Sequence, residues 1–194
     1  TGGTTVSLGA ANRVEITGGS GNDVVNLAQT TIAAGDNILL GAGNDTLNFQ
    51  GAITAGGIAA GVTLSGGEGM MDVLGLTSAD ATVVSGSAAF EGFIDGFEIL
   101  ALGQSLAPTT VVNLANLDDI SHVRYAGDAT GTAANNPIIN SMANGGTLEI
   151  QGLNAGAGVT VQMADSTGAA DSLNIILDDS VTAAGFHAGT VTIS

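Results

Sequence analysis

The sequence predicts an all-β chain that winds into a parallel β-roll or β-solenoid, with sandwich-like repeat modules as the alternative for part of its length. Short runs of Val, Ile, Leu and Thr recur about every ten residues, separated by turns rich in Gly, Asn and Asp. The chain has 31 glycines, and only 3% of its residues are aromatic. Its core therefore has to be thin and filled by small aliphatic side chains.

The strand-like runs extend along the chain, and no segment has the periodicity of an amphipathic helix. Predicted strands include Thr5–Leu8, Val24–Leu27, Thr46–Phe49 and Thr82–Ser85, and predicted helical turns or corners are Asn116–Ile120 and Asn135–Met142. We expect residues 1–80 to form a β-roll with ion-binding turns. We expect 81–194 to form a further β-solenoid or β-sandwich repeat.

A longer repeat links these two parts. Gly61-Val-Thr-Leu is followed by Gly69 and Asp72, and the same order returns in Gly158-Val-Thr-Val, Gly168 and Asp171, 97 to 99 residues later. The second copy, at 158–177, indicates duplication within a tandem array. Because both ends lie in repetitive sequence, we expect the chain to be a segment of a longer protein.

The charge excludes several classes of partner. Eighteen acids face two bases, which gives a net charge of −16. Binding a phosphate backbone needs a basic patch, so nucleic acid is excluded, and anionic membrane surfaces are disfavoured for the same reason. No apolar run is long enough to insert into a membrane. So many acids repel one another in a compact fold unless cations neutralise them.

Two glycine-rich turns carry the strongest motif. Residues 18–26 read GGSGNDVVN and fit the nonapeptide G-G-x-G-x-D-x-U-x at every position, and 40–48 read LGAGNDTLN, which lacks only the first glycine. Residues 66–74, GGEGMMDVL, have one extra residue before the Asp, and the copy at 168–173 is the most degenerate. Asp36 precedes Asp45 by nine residues, the half-coil repeat of this motif.

These residue types suit calcium. Ca²⁺ prefers six to eight oxygen ligands from carboxylates and carbonyls, and glycine allows a turn to direct its carbonyls at an ion. The alternative is a hairpin turn that needs no metal. The predicted ligands are the carboxylates of Asp23, Asp36, Asp45, Asp72 and Asp171 and the turn glycines Gly19, Gly21, Gly41, Gly43, Gly67 and Gly69.

With these motifs, the chain resembles the RTX-type S-layer proteins of Gram-negative bacteria and related type I-secreted adhesins. The resemblance covers 18–48 specifically and 66–74 loosely. It implies a right-handed parallel β-roll with calcium in its turns, secretion by a type I system, a place at the cell surface and calcium-dependent assembly into a lattice. The motif aspartates are 22 and 27 residues apart, whereas a regular roll has 18, which indicates loops that project from the coils.

The remaining polar and aromatic residues indicate no second site. Glu15, Glu91, Glu98 and Glu149 are predicted to face solvent, and Met70-Met71 to pack against a neighbouring coil. The spacing of the two histidines matches neither a zinc site nor a catalytic triad. Phe90, Phe93 and Phe97 form the one aromatic cluster that could serve an interface.

We therefore expect a structural segment that is not an enzyme and that self-associates into a surface lattice with calcium. The surface polysaccharide of the outer membrane is a further expected partner. The alternative is a calcium-dependent adhesin or a glycan-binding RTX module of a larger secreted protein.

Overall fold

The computed structural model describes residues 2–9, 13–51, 53–54, 57–103, 106–118, 120–126, 136–151, 158–167, 170–178 and 190–194. Its strands stack as the coils of a β-solenoid, and every strand pair in these residues is parallel. The predicted all-β, parallel solenoid is confirmed. Each coil contributes one strand to each of two facing walls.

The first wall is one sheet of eight strands. Numbered in chain order, these are β1 Thr5–Leu8, β3 Val24–Leu27, β5 Thr46–Phe49, β7 Val73–Leu76, β9 Ile99–Leu102, β11 His122–Tyr125, β13 Gly146–Ile150 and β15 Leu173–Leu177. This sheet takes strands from both sides of residue 80. The division of the chain at that residue stays a prediction.

The second wall consists of two four-stranded sheets. One contains β2 Glu15–Thr17, β4 Asn37–Leu39, β6 Thr63–Ser65 and β8 Ile94–Asp95. The other contains β10 Val111–Asn113, β12 Ile138–Met142, β14 Gly158–Met163 and β16 Thr190–Ile193. The repeat seen in the sequence falls on equivalent strands, because β6 and β14 lie in this wall and β7 and β15 lie in the first.

Alternation along each strand produces the core. In β3, Val25 and Leu27 are buried, whereas Val24 and Asn26 point outward and are half-buried. Because the strands pair in register, each buried side chain lies over the equivalent buried side chain of the next coil. The stack that contains Val25 continues through Leu47, Leu74, Leu100, Val123 and Leu148, all at most 2% exposed. This is the thin aliphatic core that the composition predicts.

Two short helices interrupt the solenoid, and the prediction of a strand at Thr82–Ser85 is wrong. Helix α1 spans Ser78–Ser85 and α2 spans Ala88–Glu91, between β7 and β8. The Thr77 hydroxyl caps α1 by accepting a hydrogen bond from the backbone N–H of Asp80. This cap, together with burial of Ala81 and Val84, outweighs the strand preference of the β-branched residues.

Two other local predictions also need correction. Of the segment predicted as a corner at Asn135–Met142, the described part contains strand β12. The helical turn predicted at Asn116–Ile120 lies slightly earlier, as a 3-10 helix at Leu114–Asn116. Phe90 and Phe97 are each 1% exposed and belong to the core, whereas Phe93 is half-buried and is the most accessible member of the predicted aromatic cluster. Among the described residues, no helix is both long and apolar enough to cross a bilayer.

Candidate cation-binding turns

The glycine-rich turns of the first three motif copies lie on one edge of the solenoid. We call this the glycine edge and define it as residues 18–23, 40–45, 66–72 and 96–98, where the chain passes from the second wall to the first. The opposite edge, where the chain returns to the second wall, includes the connections 28–36, 50–62 and 77–93. Parallel stacking therefore brings motifs that are far apart in sequence onto adjacent coils.

Glycine is required here because successive turns approach closely. Gly41 and Gly67 have φ values of 101° and 97°, which disfavour any other residue. A Cβ atom on Gly41 would lie 2.3 Å from the carbonyl oxygen of Gly19, and one on Gly67 would lie 2.0 Å from that of Gly41. The Gly19 and Gly41 carbonyls also accept hydrogen bonds from Ala42 N and Glu68 N of the next coil.

The remaining predicted glycines lie at the same edge. A Cβ atom on Gly43 would lie 2.8 Å from the Gly21 carbonyl oxygen, and one on Gly21 would lie 2.9 Å from the carbonyl carbon of Gly2. The backbone of each turn thus lies in close contact with the backbone of the neighbouring coil. Carbonyl oxygens of such turns are among the ligands that a hard cation prefers.

Four acids at this edge form a continuous chain of hydrogen bonds, which we call the acid ladder: Asp23, Asp45, Asp72 and Glu98. Each precedes the first residue of a strand in the eight-stranded sheet, and each carboxylate accepts a bond from the backbone of the preceding coil. The donor–acceptor distances are 2.7 Å for Thr4 N to Asp23 Oδ1, 2.6 Å for Asp23 N to Asp45 Oδ1, 2.6 Å for Asp45 N to Asp72 Oδ1 and 2.8 Å for Asp72 N to Glu98 Oε2.

The members of the ladder differ in their electrostatics. Hydrogen bonds from Gly19 N and Thr4 N hold the pKa of Asp23 below its ordinary value. Burial raises the pKa of Asp45, and the neighbouring charge of Asp23 adds to the rise. Burial likewise raises the pKa of Asp72, with further contributions from Glu98 and Asp45. Negative charge on Asp45 and Asp72, in the middle of the ladder, is therefore unfavourable in the absence of a counterion.

Asp45 and Asp72 also carry unsatisfied atoms. Both residues are 0% exposed, and the Oδ2 atom of each has no hydrogen-bond partner within the part of the chain that the structure describes. An unpaired buried carboxylate oxygen is costly, so such an atom calls for a proton or a cation. At Gly69, a Cβ atom would lie 2.3 Å from Asp72 Oδ2 and 2.3 Å from the Gly43 carbonyl oxygen. Two unlike oxygens thus converge on this turn.

Side chains alone do not complete a metal site. Within the described ranges, no three His, Cys, Asp or Glu residues are grouped so that they could hold one ion. A cation at the ladder would need turn carbonyls as well as Asp45 and Asp72. This mixed set of oxygens fits Ca²⁺, which binds carbonyls readily.

Asp36 lies away from the acid ladder, on the opposite edge. It is 1% exposed, and its carboxylate accepts hydrogen bonds from Val14 N at 2.7 Å and Ala33 N at 2.8 Å. It lies half a coil from Asp45, as the nine-residue spacing predicts. With one bond to each oxygen, Asp36 acts as an anchor between coils, and its role as a calcium ligand stays a prediction.

Asp171 is also separate from the ladder. It is exposed, and the pairing register aligns Leu173, not Asp171, with the column of ladder residues. Gly168, the first glycine of this degenerate motif copy, lies outside the described residues. Asp171 therefore has no ladder acid beside it with which it could share a calcium ion. Its role as a calcium ligand stays a prediction.

Three structural acids were not predicted from the sequence, and two of them lie at the edges of the solenoid. Glu98, predicted to face solvent, is half-buried and forms the fourth position of the ladder, where no glycine motif precedes it. Asp80 is 0% exposed, accepts a hydrogen bond from Ile53 N at 2.6 Å and bonds the Thr77 hydroxyl at 2.6 Å. The Thr-x-x-Asp spacing of a capping box was the available signal for Asp80.

The third acid that was not predicted lies on the outer face of the eight-stranded sheet. Glu149 was predicted to be solvated but is only 8% exposed. Its Oε1 is 3.0 Å from Arg124 Nε and its Oε2 is 2.9 Å from His122 Nε2, while Gln151 Nε2 donates to Oε1 at 2.8 Å. This acid is thus neutralised from within the chain.

No protein-family model, no curated protein and no solved structure matches the chain. Its function therefore has to be argued from the acid ladder and the surfaces around it.

Proposed function

We propose that the chain is a calcium-binding structural segment of a secreted bacterial surface layer, which folds with calcium and assembles laterally into a two-dimensional lattice. The observation that carries this proposal is the pair of buried, unsatisfied Oδ2 atoms of Asp45 and Asp72 on adjacent coils. We assign the segment no catalytic role.

Within the part of the chain that the structure describes, no cationic side chain is paired with Asp45 or Asp72. The chain has only two bases. Arg124 is bound to Glu149 on the outer face of the sheet, and the guanidinium group of Arg13 lies beside Gly35 on the opposite edge. Charge on Asp45 and Asp72 must therefore be balanced by protons or by ions from solution.

The residues that would hold the ion belong to different coils. Asp45 and Asp72 would supply carboxylate oxygens, and the turn carbonyls, with Gly43 among them, would supply the rest. A bound Ca²⁺ would supply the positive charge that offsets burial of the two acids. Because the ligands come from separate coils, binding is coupled to coil stacking and hence to folding.

The stabilisation expected from bound calcium is large enough for the ion to control folding. Extracellular calcium modules bind at about 10⁻⁴–10⁻³ M. At ten times that dissociation constant, one ion stabilises the folded state by about 1.4 kcal/mol. A few such sites approach the net stability of an ordinary domain. Secretion into a calcium-rich exterior would then favour folding outside the cell.

The resemblance to RTX-type S-layer proteins supports the location and the partners. It supports a secreted protein at the cell surface that contacts copies of itself, with the outer-membrane polysaccharide as a further partner. The acidic composition is consistent with this role, since divalent cations can bridge acidic surfaces that otherwise repel one another.

The test combines calorimetry, circular dichroism and electron microscopy. Wild-type protein should bind calcium, gain about 3–6 °C in melting temperature at ten times the dissociation constant and form sheets only with the ion. Asp45→Asn with Asp72→Asn should abolish the gain, whereas Asp171→Asn, which changes an exposed acid, should retain it. Equal melting temperatures in EGTA and in millimolar calcium would count decisively against the proposal.

One observation favours a second candidate function, neutral glycan binding. A groove of about 340 Å³ lies on the outer face of the eight-stranded sheet, lined in part by Asn48, Gln50, Gly75, Thr77, Ala101 and Gly103. Amide and hydroxyl groups beside small residues can accommodate sugar hydroxyls, and no lining residue is charged. Binding to a glycan array that Asn48→Leu removes would support this candidate, and an array without signal would exclude it.

A further inference from the structure

Two methionines project from the third turn of the glycine edge. Met70 is 84% exposed and Met71 is 49% exposed, so the prediction that they pack against a neighbouring coil is wrong. The other two methionines of the chain, Met142 and Met163, are buried at 0% and 9%. Exposed Met70 and Met71 are therefore unusual in this protein, and we call them the methionine pair.

The extra residue in this turn explains their position. In the first two turns a single Asn separates the last glycine from Asp23 and Asp45, whereas both methionines stand between Gly69 and Asp72. Asp72 keeps its place in the acid ladder, so the added length has to bulge outward. The result is an exposed apolar protrusion on an edge that is otherwise rich in glycine, asparagine and acids.

A cavity of about 550 Å³ lies on the opposite edge, beside the two helices. Its apolar lining includes Ile58, Val83, Ala89, Phe90 and Phe93, and hydroxyl groups from Thr54, Thr82 and Ser87 complete it. None of its lining residues is charged. Its volume falls within the range of pockets that hold ligands or side-chain anchors. We call it the helix cavity.

The methionine pair and the helix cavity belong to neighbouring segments of the same coil. The turn 66–72 leads into β7, and α1 and α2 leave β7 at its other end. The protrusion and the cavity therefore lie on opposite edges at about the same height along the solenoid, so neither can reach the other within one molecule.

We propose that the methionine pair of one copy inserts into the helix cavity of a second copy, so that solenoids join side by side. This inference rests on the proposed function, because it names the contact through which lateral assembly occurs. The two surfaces differ, so the contact is heterologous, and every copy that uses both extends a row.

The chemistry of the two surfaces supports a second copy as the occupant. Methionine side chains are unbranched and polarizable, and they adapt to irregular apolar pockets, including those lined by phenylalanine. Methionine and aromatic residues are enriched where proteins meet. Because each copy carries a net charge of −16, association requires screening or divalent ions, which links this contact to calcium.

The test uses two variants that each remove one half of the contact. Met70→Ser with Met71→Ser removes the protrusion, and Ala89→Glu places a charge in the lining of the cavity. In millimolar calcium, sedimentation velocity should show wild-type protein forming large species. Each variant alone should associate about tenfold more weakly or worse. A mixture of the two variants should form dimers more readily than either variant alone, because one complementary pair of surfaces remains.

Matched controls separate this contact from general effects. Ala88→Glu adds the same charge to the same helix but at an exposed position outside the cavity lining, and Val111→Ser removes a 45% exposed apolar side chain elsewhere. Both should assemble like wild type. If the two variants assemble like wild type, or if their mixture stays monomeric, the inference is overturned.

Disulfide trapping provides an independent measurement, since the chain has no cysteine. Protein that carries both Met70→Cys and Val83→Cys should form a reducible ladder of covalent oligomers, whereas each single variant, which has no second cysteine across this contact, should not be cross-linked through it. Absence of the ladder from protein that still assembles would overturn the contact.

The outcomes also separate this inference from the proposed function. Wild-type protein that binds calcium and forms sheets, with sheets equally formed by both contact variants, leaves the proposed function intact and overturns only the contact. Wild-type protein that neither binds calcium nor assembles overturns both. A small apolar molecule retained in the cavity, detected by native mass spectrometry in assembled protein, would also exclude the methionine pair as occupant.

Discussion

The first and second halves of the solenoid each bury acids, but they neutralise them differently. In the first half, Asp45 and Asp72 have buried Oδ2 atoms without partners among the described residues. In the second half, Glu149 meets Arg124 and His122 at 3.0 and 2.9 Å. A buried acid that is paired internally needs nothing from solution, whereas one that is not paired makes stability depend on the medium. Calcium dependence should therefore reside in the first half.

The pairing register shows where the difference begins. The column of the eight-stranded sheet that contains Asp72 and Glu98 continues through Ser121, Gly146 and Leu173. None of the residues that continue this column after Glu98 is acidic, so the column carries no further unbalanced charge. The same backbone architecture thus continues from a region with buried, unpaired acids into one whose edge carries no ladder acid.

The largest effect should come from a change at the glycine edge. Gly67→Ala combines a φ of 97° with a Cβ atom 2.0 Å from the Gly41 carbonyl oxygen, so the two coils have to separate. We expect a loss of about 3 kcal/mol or more in the free energy of unfolding, measured by urea denaturation. Gly61→Ala is the matched control, because its φ is 82° but no atom lies within 4 Å of the new Cβ. A similar loss in both variants would show that backbone conformation, not coil contact, is responsible.

Glu149→Gln should have the next largest effect, and this effect should be independent of calcium. The change removes the charge that pairs with Arg124 and His122, and half-exposure of Arg124 limits the loss. We expect about 1–2 kcal/mol less stability in EGTA and in calcium alike. A loss that appears only in one of the two conditions would contradict the division between the halves.

Asp72→Asn should lower the stability of the protein in calcium but not in EGTA. In calcium the variant loses an ion ligand and about 1.4 kcal/mol or less. In EGTA it should be as stable as wild type or more stable, because an uncompensated buried charge has been removed. Thermal unfolding of both proteins with and without the ion gives the comparison. Destabilisation of equal size in both media would argue for a purely structural aspartate.

The smallest expected effect is a dependence on pH. Because the pKa values of Asp45 and Asp72 are raised above their ordinary 3.8, the folded state binds protons more tightly than the unfolded state does. Without calcium, stability should therefore increase as the pH falls from neutral through the raised values, and gain nothing more from these groups below 3.8.

The lowered pKa of Asp23 acts in the reverse direction, since its contribution is present above 3.8 and is lost as the pH falls through its folded value. Melting temperatures in EGTA from pH 7 to pH 3 test both signs. Asp45→Asn with Asp72→Asn should flatten the rise on acidification and leave the final fall. A wild-type curve that only falls would contradict the assignment of unbalanced charge to these two residues.

The sequence predicted the fold well because local and long-range signals agree. Alternation along Val24–Leu27 and glycines at fixed distances before Asp23 and Asp45 define strand and turn together, and stacking simply repeats the unit. The helices were missed because the β-branched residues at Thr82–Val84 favour strands, while the cap at Thr77 and the burial that decides for a helix depend on tertiary contacts.

The candidate site was predicted only in part. Its aspartates at 23, 45 and 72 follow recognisable motifs, but Glu98 follows a turn without the motif and joins the ladder through its position before β9. Asp171 has the local motif but not the register, because pairing with β13 shifts it away from the column. Register is set by neighbouring strands, so a local pattern cannot specify it.

The two edges differ in how much variation in length they accept. At the glycine edge the turns 18–23, 40–45, 66–72 and 96–98 stay short, while the opposite connections lengthen from 28–36 through 50–62 to 77–93. New sequence can thus accumulate along one margin while the turns of the other stay tight. A scaffold of this kind tolerates grafted peptides on its permissive side, where an epitope or a reporter can be inserted outside the lining of the helix cavity.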